Sequence, residues 1–220
     1  MAKEVYRGGY LSDIEHLRKQ RRQMIASILR NGWRYEGWTI QGFGMLRFYL
    51  SKEVRMHIWD DRFKTENVSV IHDHPWSFES EIISGEIRNI VYEEFRTPSH
   101  NIDNAKYLLK KYHMAEIQCG EGGGLRQTRP EPIILVPVTD STYQADESYS
   151  QDATELHESI PGNGTITIIT RKFHTERSSE HATVCYPYGT DWVTAEPRTA
   201  TIEEVERVCE YALAKLKPLL

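Results

Sequence analysis

Short apolar runs separated by turn residues dominate the chain from Gly32 to about residue 190. The runs are rich in β-branched and aromatic residues, and Ser84-Gly85, Pro161-Gly162-Asn163-Gly164 and Tyr188-Gly189 interrupt them. Many short strands at close spacing are typical of a β-sandwich or barrel. We therefore predict a mainly β fold with strands at Trp38–Gln41, Met45–Leu50, Val54–Trp59, Val68–His72, Phe78–Ile83, Ile87–Tyr92, Ile133–Val138, Thr142–Asp146, Thr165–Thr170 and Ala182–Tyr186.

Helical patterns stand at both ends of this region. Ser12, with Glu15 three residues later, forms a capping-box pattern that predicts a helix over residues 12–31. Thr201 and Glu204 repeat the pattern and predict a second helix over residues 201–217. The apolar stripe of this second helix fits packing on the core or against a second copy in a homodimer. The chain is then one domain, with the β-barrel over residues 38–195.

Two stretches depart from the strand pattern. Thr97–Lys111 is polar, which indicates a loop or a short helix. Cys119–Glu131 contains three consecutive glycines and two arginines, which is typical of a long hairpin loop, with a lid over a site as the alternative.

Composition narrows the class of partner. The 220 residues carry 27 basic and 32 acidic side chains and a net charge of −5, which argues against a surface that coats nucleic acid. Three cysteines without paired spacing indicate free thiols in a reducing compartment. The first residues show no signal peptide, and no run is apolar enough for a membrane helix. We expect a cytoplasmic protein that binds a small molecule.

The informative motif begins at His72. His72 and His74 are two residues apart on a predicted strand, so both side chains project from the same face and can reach one ion. Pro75 ends the strand. The chain then returns through Phe78–Ile83, which begins next to the histidines and carries two carboxylates, Glu79 and Glu81.

This motif resembles the first motif of the cupins, in which His-x-His is followed by four residues, a Glu and an apolar run ending in Gly. The match is closer to a subgroup with His-Asp-His-Pro-Trp-x-Phe-x-Ser-x-x-x-x-Gly. Met56-His57-Ile58-Trp59-Asp60 is also similar to that subgroup, as are the run from Tyr149 to His157 and the following Gly164-Thr-Ile-Thr-Ile-Ile-Thr-Arg171. The resemblance covers about residues 38–195 and excludes both helices.

The resemblance implies a cupin-like double-stranded β-helix, a jelly-roll barrel that holds a metal ion with three His and one Glu. Carried over by position, the ligands are His72, His74, Glu79 and His157. The gap from Glu79 to Gly85 is one residue shorter than is common in cupins, so Glu81 remains an alternative carboxylate. The usual Pro-x-Gly before the last histidine, and the Asn after it, are absent from this chain.

Ligands of these types suit a divalent transition metal such as Fe, Mn, Zn, Ni or Cu. The resemblance to cupins places Fe(II) first among them. We predict Tyr143, Tyr149 and His57 as catalytic side chains that face the pocket. Further polar residues that could line the pocket are Arg55, Arg88, Asn89 and Gln151.

The resulting functional hypothesis is a metal-dependent cupin enzyme, an Fe(II)-type oxygenase or dioxygenase acting on a small polar molecule. The first alternative is a metal-dependent isomerase or lyase on a sugar or keto acid. The second is a small-molecule sensor or binding module without turnover. The fold alone does not separate them, because the scaffold hosts many chemistries.

Overall fold

The computed structural model describes residues 5–95, 110–118, 124–172, 181–192 and 196–220, with side chains from residue 13 onward except that of residue 126. The helices are α1 (Val5–Arg30) and α2 (Ile202–Leu216), with short 3-10 helices at Gly32–Arg34 and Lys217–Leu219. The strands are β1 (Thr39–Gln41), β2 (Phe43–Tyr49), β3 (Val54–Lys64), β4 (Ile71–His72), β5 (Ser77–Ser84), β6 (Glu86–Glu94), β7 (Lys111–Gln118), β8 (Leu125–Thr128), β9 (Ile133–Gln144), β10 (Ser148–Gln151), β11 (Leu156–Pro161), β12 (Ile166–Lys172), β13 (His181–Pro187) and β14 (Arg198–Thr199).

These strands form two seven-stranded antiparallel sheets. The first sheet has the order β10-β5-β12-β3-β2-β1-β14, and the second has the order β13-β4-β11-β6-β9-β7-β8. In the second sheet, β13 also pairs with β7, although the two strands are not neighbours in this order. The prediction of a mainly β, jelly-roll-like fold with a helix at each end of the chain is confirmed.

The two faces of the first sheet have different neighbours, and strand β3 shows the division. Met56 and Ile58 are fully buried and pack with residues of α1 and α2 in one apolar cluster. Arg55, His57 and Trp59 alternate with them and therefore point to the other face, between the sheets. Trp59 belongs there to a second apolar cluster. The helices thus cover the outer face, and the inner face carries this second apolar cluster together with polar side chains.

Several element boundaries differ from the sequence expectation. α1 begins at Val5, so Ser12 lies within the helix and is not its N-cap. α2 matches its prediction, because Thr201 and Glu204 form the reciprocal capping box. The runs predicted at Ile133–Val138 and Thr142–Asp146 belong to the single strand β9.

The two stretches predicted as irregular also contain strands. β7 follows the first stretch and begins at its last residue, Lys111, and β8 lies within the second. Residues 97–109 and 119–123, on which those loop predictions also fall, lie outside the described residues. Cys185 and Cys209 are buried free thiols. Among the described residues, no helix combines the length and the apolar character needed to cross a bilayer.

Candidate metal centre

Three histidine side chains converge between the two sheets. His72 lies on β4, His74 follows two residues later, and His157 lies on β11. One ring nitrogen of each side chain lies within 4.8 Å of those of the other two. His157 is buried, and His72 and His74 are half-buried. Within the part of the chain that the structure describes, no carboxylate or thiol joins this group, which we call the histidine cluster.

Strand pairing brings the three residues together. His157 is the direct antiparallel partner of His72, so their side chains lie side by side on one face. Asp73, between the two histidines of the motif, is buried, and its carboxylate accepts a hydrogen bond from the Thr183 backbone N–H. The Asp73 N–H in turn donates to the Thr183 carbonyl over 2.9 Å. This exchange anchors the His-Asp-His segment to the chain at β13.

Backbone carbonyls fix the orientation of two of the rings. Nδ1 of His72 lies 3.0 Å from the Val70 carbonyl oxygen, and Nδ1 of His157 lies 3.0 Å from the Glu155 carbonyl oxygen. Because a carbonyl can only accept, each Nδ1 must carry the hydrogen and donate it. Nε2 then keeps its lone pair, which is the arrangement usual for a metal-binding histidine.

The electrostatic environment keeps all three imidazoles neutral. Burial, together with the neighbouring His72, lowers the pKa of His157 to about 3. Burial also takes the pKa of His74 well below its usual value. For His72, burial outweighs the opposing hydrogen bond to Val70, so its pKa is also lowered. Neutral imidazole is the form that binds a metal ion, so the histidine cluster is in the protonation state required for metal binding at neutral pH.

Aromatic rings enclose the cluster. Phe43 stacks on His72 with ring centres 4.9 Å apart, and Trp76 stacks on His74 at 4.1 Å. Phe78, on the inner face of β5, lies 5.6 Å from the His74 ring and 5.7 Å from the His157 ring. These contacts restrict the histidine rotamers and keep part of the surroundings apolar.

The structure does not bring Glu79 to the histidine cluster. The burial pattern of β5 alternates, with Phe78 and Ser80 buried and Glu79 exposed between them. Glu79 therefore points to the face opposite the histidines. The alternative carboxylate, Glu81, shares this outer face and forms an ion pair with Arg21 of α1. Phe78 stands beside the histidines instead.

The three predicted catalytic side chains lie on the inner side of the molecule at different depths. His57 is 4% exposed, and neither of its ring nitrogens has a hydrogen-bond partner in the described ranges of the chain. Tyr149 is buried, packs against Phe78 with ring centres 6.1 Å apart, and stacks with Tyr143 at 4.7 Å. Burial raises the pKa of Tyr149, so its phenol stays protonated.

Of the other predicted pocket residues, Arg55 is buried on the inner face of β3. Asn89 and Gln151 are buried and hydrogen-bonded to each other at 2.9 Å. Arg88 is exposed on β6 and pairs with Asp140, so it does not line the site. Sequence reasoning missed Arg47 and Arg171, although both share the inner-face parity of their strands. Each of these arginines lies two residues after an apolar residue that points to the inner face, and this spacing in the sequence could have identified them.

Comparison with known proteins adds little to this geometry. No protein-family model matches the chain, and no curated protein matches it. Forty chains of solved structures match. One is a hydroquinone 1,2-dioxygenase, PnpCD, crystallised in complex with Cd²⁺ and 4-hydroxybenzonitrile, with 12% sequence identity and a TM-score of 0.29. The match covers 66% of this chain and 64% of that chain. What the structure itself shows is a β-rich fold with a three-histidine group that could hold a metal ion.

Proposed function

We propose that this chain is a cupin-type metalloenzyme, an Fe(II)-dependent oxygenase acting on a small polar molecule. The observation that supports this proposal most is the histidine cluster. Its three imidazole nitrogens lie within 4.8 Å of one another, and His157 pairs directly with His72. In this proposal His72, His74 and His157 are the protein ligands, and the Glu79 implied by the resemblance is not among them.

The residues present fit a divalent ion. All three imidazoles are held neutral, and two of them donate Nδ1–H to backbone carbonyls, which directs Nε2 to the ion. A set of imidazoles suits Fe, Zn, Cu and Ni, whereas Mn prefers carboxylates. When bound, an ion with three protein ligands supplies open coordination positions at which substrate and dioxygen can meet.

The chain's own side chains prepare the surroundings of that ion. Phe43, Trp76 and Phe78 restrict water around the imidazoles, because their rings pack directly on them. His57 lies buried on the same side, with two ring nitrogens available to a bound molecule. The protonated phenol of Tyr149 can donate a hydrogen bond within the interior.

Metal analysis of the full chain, purified without chelator and again after reconstitution with Fe(II), tests the proposal. We expect about one equivalent of metal in the wild type and a loss of stoichiometric binding in His72→Ala and His157→Ala. His113→Ala is the matched control, because His113 on β7 packs against Tyr186 and Tyr188 and lies outside the cluster. Less than about a tenth of an equivalent after Fe(II) addition would refute the metal centre.

Oxygen consumption with a panel of metabolites tests the reaction class. Consumption that requires both Fe(II) and His157 is the expected result. Turnover of a sugar or keto acid without oxygen would favour an isomerase or lyase, and stoichiometric ligand binding without turnover would favour a sensor.

A further inference from the structure

Three arginines gather on the inner face of the first sheet. Arg47 lies on β2, Arg55 on β3 and Arg171 on β12, three strands that are consecutive in the sheet. In the strand register, Arg47 is opposite His57, and Arg55 is opposite both Tyr49 and Ile169. The alternation along each strand therefore directs all three side chains between the sheets. We call Arg47, Arg55 and Arg171 the arginine cluster.

The innermost member of the cluster, Arg55, has no carboxylate partner among the described residues. Arg55 is 7% exposed, the Tyr49 phenol is its side-chain hydrogen-bond partner, and its Nε–H has no partner in the ranges that the structure describes. Within the described part of the chain, Arg47 also forms no ion pair with a carboxylate, and its acceptors are the neutral side-chain oxygens of Thr39 and Gln41. A buried cation without an anionic partner is costly, and such groups recur where a charged ligand supplies the missing partner.

Aromatic rings connect the arginine cluster to the histidine cluster. The Arg55 guanidinium lies 4.7 Å from the centre of the Trp76 ring, and that of Arg171 lies 5.4 Å from it. The same indole stacks on His74 at 4.1 Å. The two clusters therefore share one ring, so a small molecule that contacts the guanidinium groups is already beside the histidines.

The exposure of the side chains decreases along the arginine cluster, from the surface to the interior. Tyr49, at the end of β2, is 40% exposed. The guanidinium carbons of Arg47 and Arg171 each lie 5.3 Å from the centre of its ring. Arg47 is half-buried, Arg55 is buried, and His57 is still less exposed than Arg55. Positive charge thus extends from the rim into the interior.

The pKa values of the neighbouring groups reflect this positive field. Burial and the nearby Arg47 and Arg171 lower the pKa of Arg55 to about 10. Burial alone would raise the pKa of the Tyr49 phenol, but the charges of Arg47, Arg55 and Arg171 outweigh it and lower that pKa. An anion placed here would relieve the repulsion among the guanidinium groups.

We propose that the arginine cluster binds the oxyanion of a small organic substrate, a carboxylate or a phosphate, whose remaining body lies along Trp76 towards the histidine cluster. Guanidinium groups match the geometry of both oxyanions and form the stronger, charge-assisted hydrogen bonds with them. His57 lies next to this position and can add a hydrogen bond through either ring nitrogen. The identification of the bound molecule as a substrate rests on the proposed function, whereas anion binding itself requires no metal.

Calorimetric titration of the metal-free, chelator-treated chain tests the proposal. The probes are benzoate and phenyl phosphate, with neutral benzamide as the isosteric control. We expect the better of the two anions to bind at least about tenfold more tightly than benzamide and to weaken as salt is added. Tighter binding of benzoate would identify the substrate oxyanion as a carboxylate, and tighter binding of phenyl phosphate would identify it as a phosphate.

Variants assign the binding to the arginine cluster. Arg55→Gln should weaken anion binding about tenfold or more and leave benzamide unchanged, and Arg47→Gln should weaken it in the same direction. Arg88→Gln, at an exposed ion pair on β6, is the matched control and should bind like the wild type. If Arg55→Gln does not fold, the affinity of Arg47→Gln for the anions and the comparison of benzoate with benzamide on the wild type still test whether the arginine cluster binds an anion.

Equal affinities for the anions and benzamide, or anion binding that survives both Arg55→Gln and Arg47→Gln, would overturn the inference. Because the titration uses metal-free protein, these results are separate from failure of the metal centre, which metal analysis reports on its own.

Discussion

At the start of β5, the alternation of side chains between two faces decides which residues reach the histidines. Phe78 points inward and contacts His74 and His157, whereas Glu79, one residue later, is exposed. The resemblance to cupins implied that Glu79 is a ligand. A change of one residue in spacing moves a strand side chain to the opposite face, and the Glu79-to-Gly85 gap is one residue shorter than is common in cupins.

This placement predicts that Glu79→Gln keeps the metal. The substitution removes a charge from an exposed position outside the histidine cluster, so metal content should stay within about a fifth of wild type. Metal analysis after gel filtration provides the measurement, with His157→Ala as the positive control for loss. A fall of Glu79→Gln to the level of His157→Ala would show that the carboxylate is a ligand.

The sequence therefore predicted part of the site for identifiable reasons. His72 and His74 follow from a two-residue spacing, which is local, although β4 ends at His72 and the Asp73–Thr183 hydrogen bonds anchor the segment that carries His74. His157 was placed by resemblance, and the structure pairs it directly with His72. The arginine cluster could not be predicted as a group, because it depends on the neighbourhood of β2, β3 and β12 in the sheet.

Among the elements, the turn between β5 and β6 has the strictest backbone requirement. Gly85 has φ +81°, and a Cβ there would lie 2.4 Å from Thr165 Oγ1. That hydroxyl cannot move freely, since it accepts from the Glu86 N–H and donates to the Glu86 carbonyl. Gly85→Ala should therefore lower the free energy of unfolding by about 2 kcal/mol.

Chemical denaturation followed by circular dichroism measures this change. Gly124→Ala is the matched control, because a Cβ at Gly124 would meet no atom of the described residues within 4 Å. Similar midpoints for Gly85→Ala and the wild type would contradict the strain argument.

Helix α2 depends on its first turn. Thr201 accepts a hydrogen bond from the Glu204 N–H, and the Glu204 carboxylate accepts one from the Thr201 N–H. Thr201→Ala removes the side-chain acceptor and should cost about 1 kcal/mol of unfolding free energy. Thr201→Ser, which keeps the hydroxyl, should retain most of it in the same denaturation experiment. Equal losses in the two variants would show that the capping hydrogen bond is not the source.

Elements were predictable where their signals are local. The capping pattern of α2 and the Ser84-Gly85 turn are local, and the structure contains both. β7 and β8 were missed because a polar composition and a glycine run suggested loops, while pairing with β13 and β9 and with each other supplies the backbone hydrogen bonds. β4 is short, Ile71–His72, although a longer strand was predicted.

For the whole molecule, the proposed ion would link folding to metal binding. Its ligands come from β4, β11 and the segment after β4, and His157 pairs with His72 in the second sheet. An unfolded chain cannot hold these side chains together, so an ion that binds only the folded state stabilises it by mass action. At 100 times the dissociation constant the gain is about 2.7 kcal/mol.

We therefore expect Fe(II), added anaerobically to chelator-treated protein, to raise the melting temperature by several degrees, about 2–4 °C for each kcal/mol in a domain of this size. His157→Ala should start from its own metal-free value and show no rise, whereas the outlying His113→Ala should respond like the wild type. Differential scanning fluorimetry at several ion concentrations separates specific binding, which follows the logarithm of concentration, from a nonspecific effect of salt. A rise of the same size in His157→Ala would place the stabilising ion elsewhere and remove the support that the histidine cluster gives to the proposed reaction.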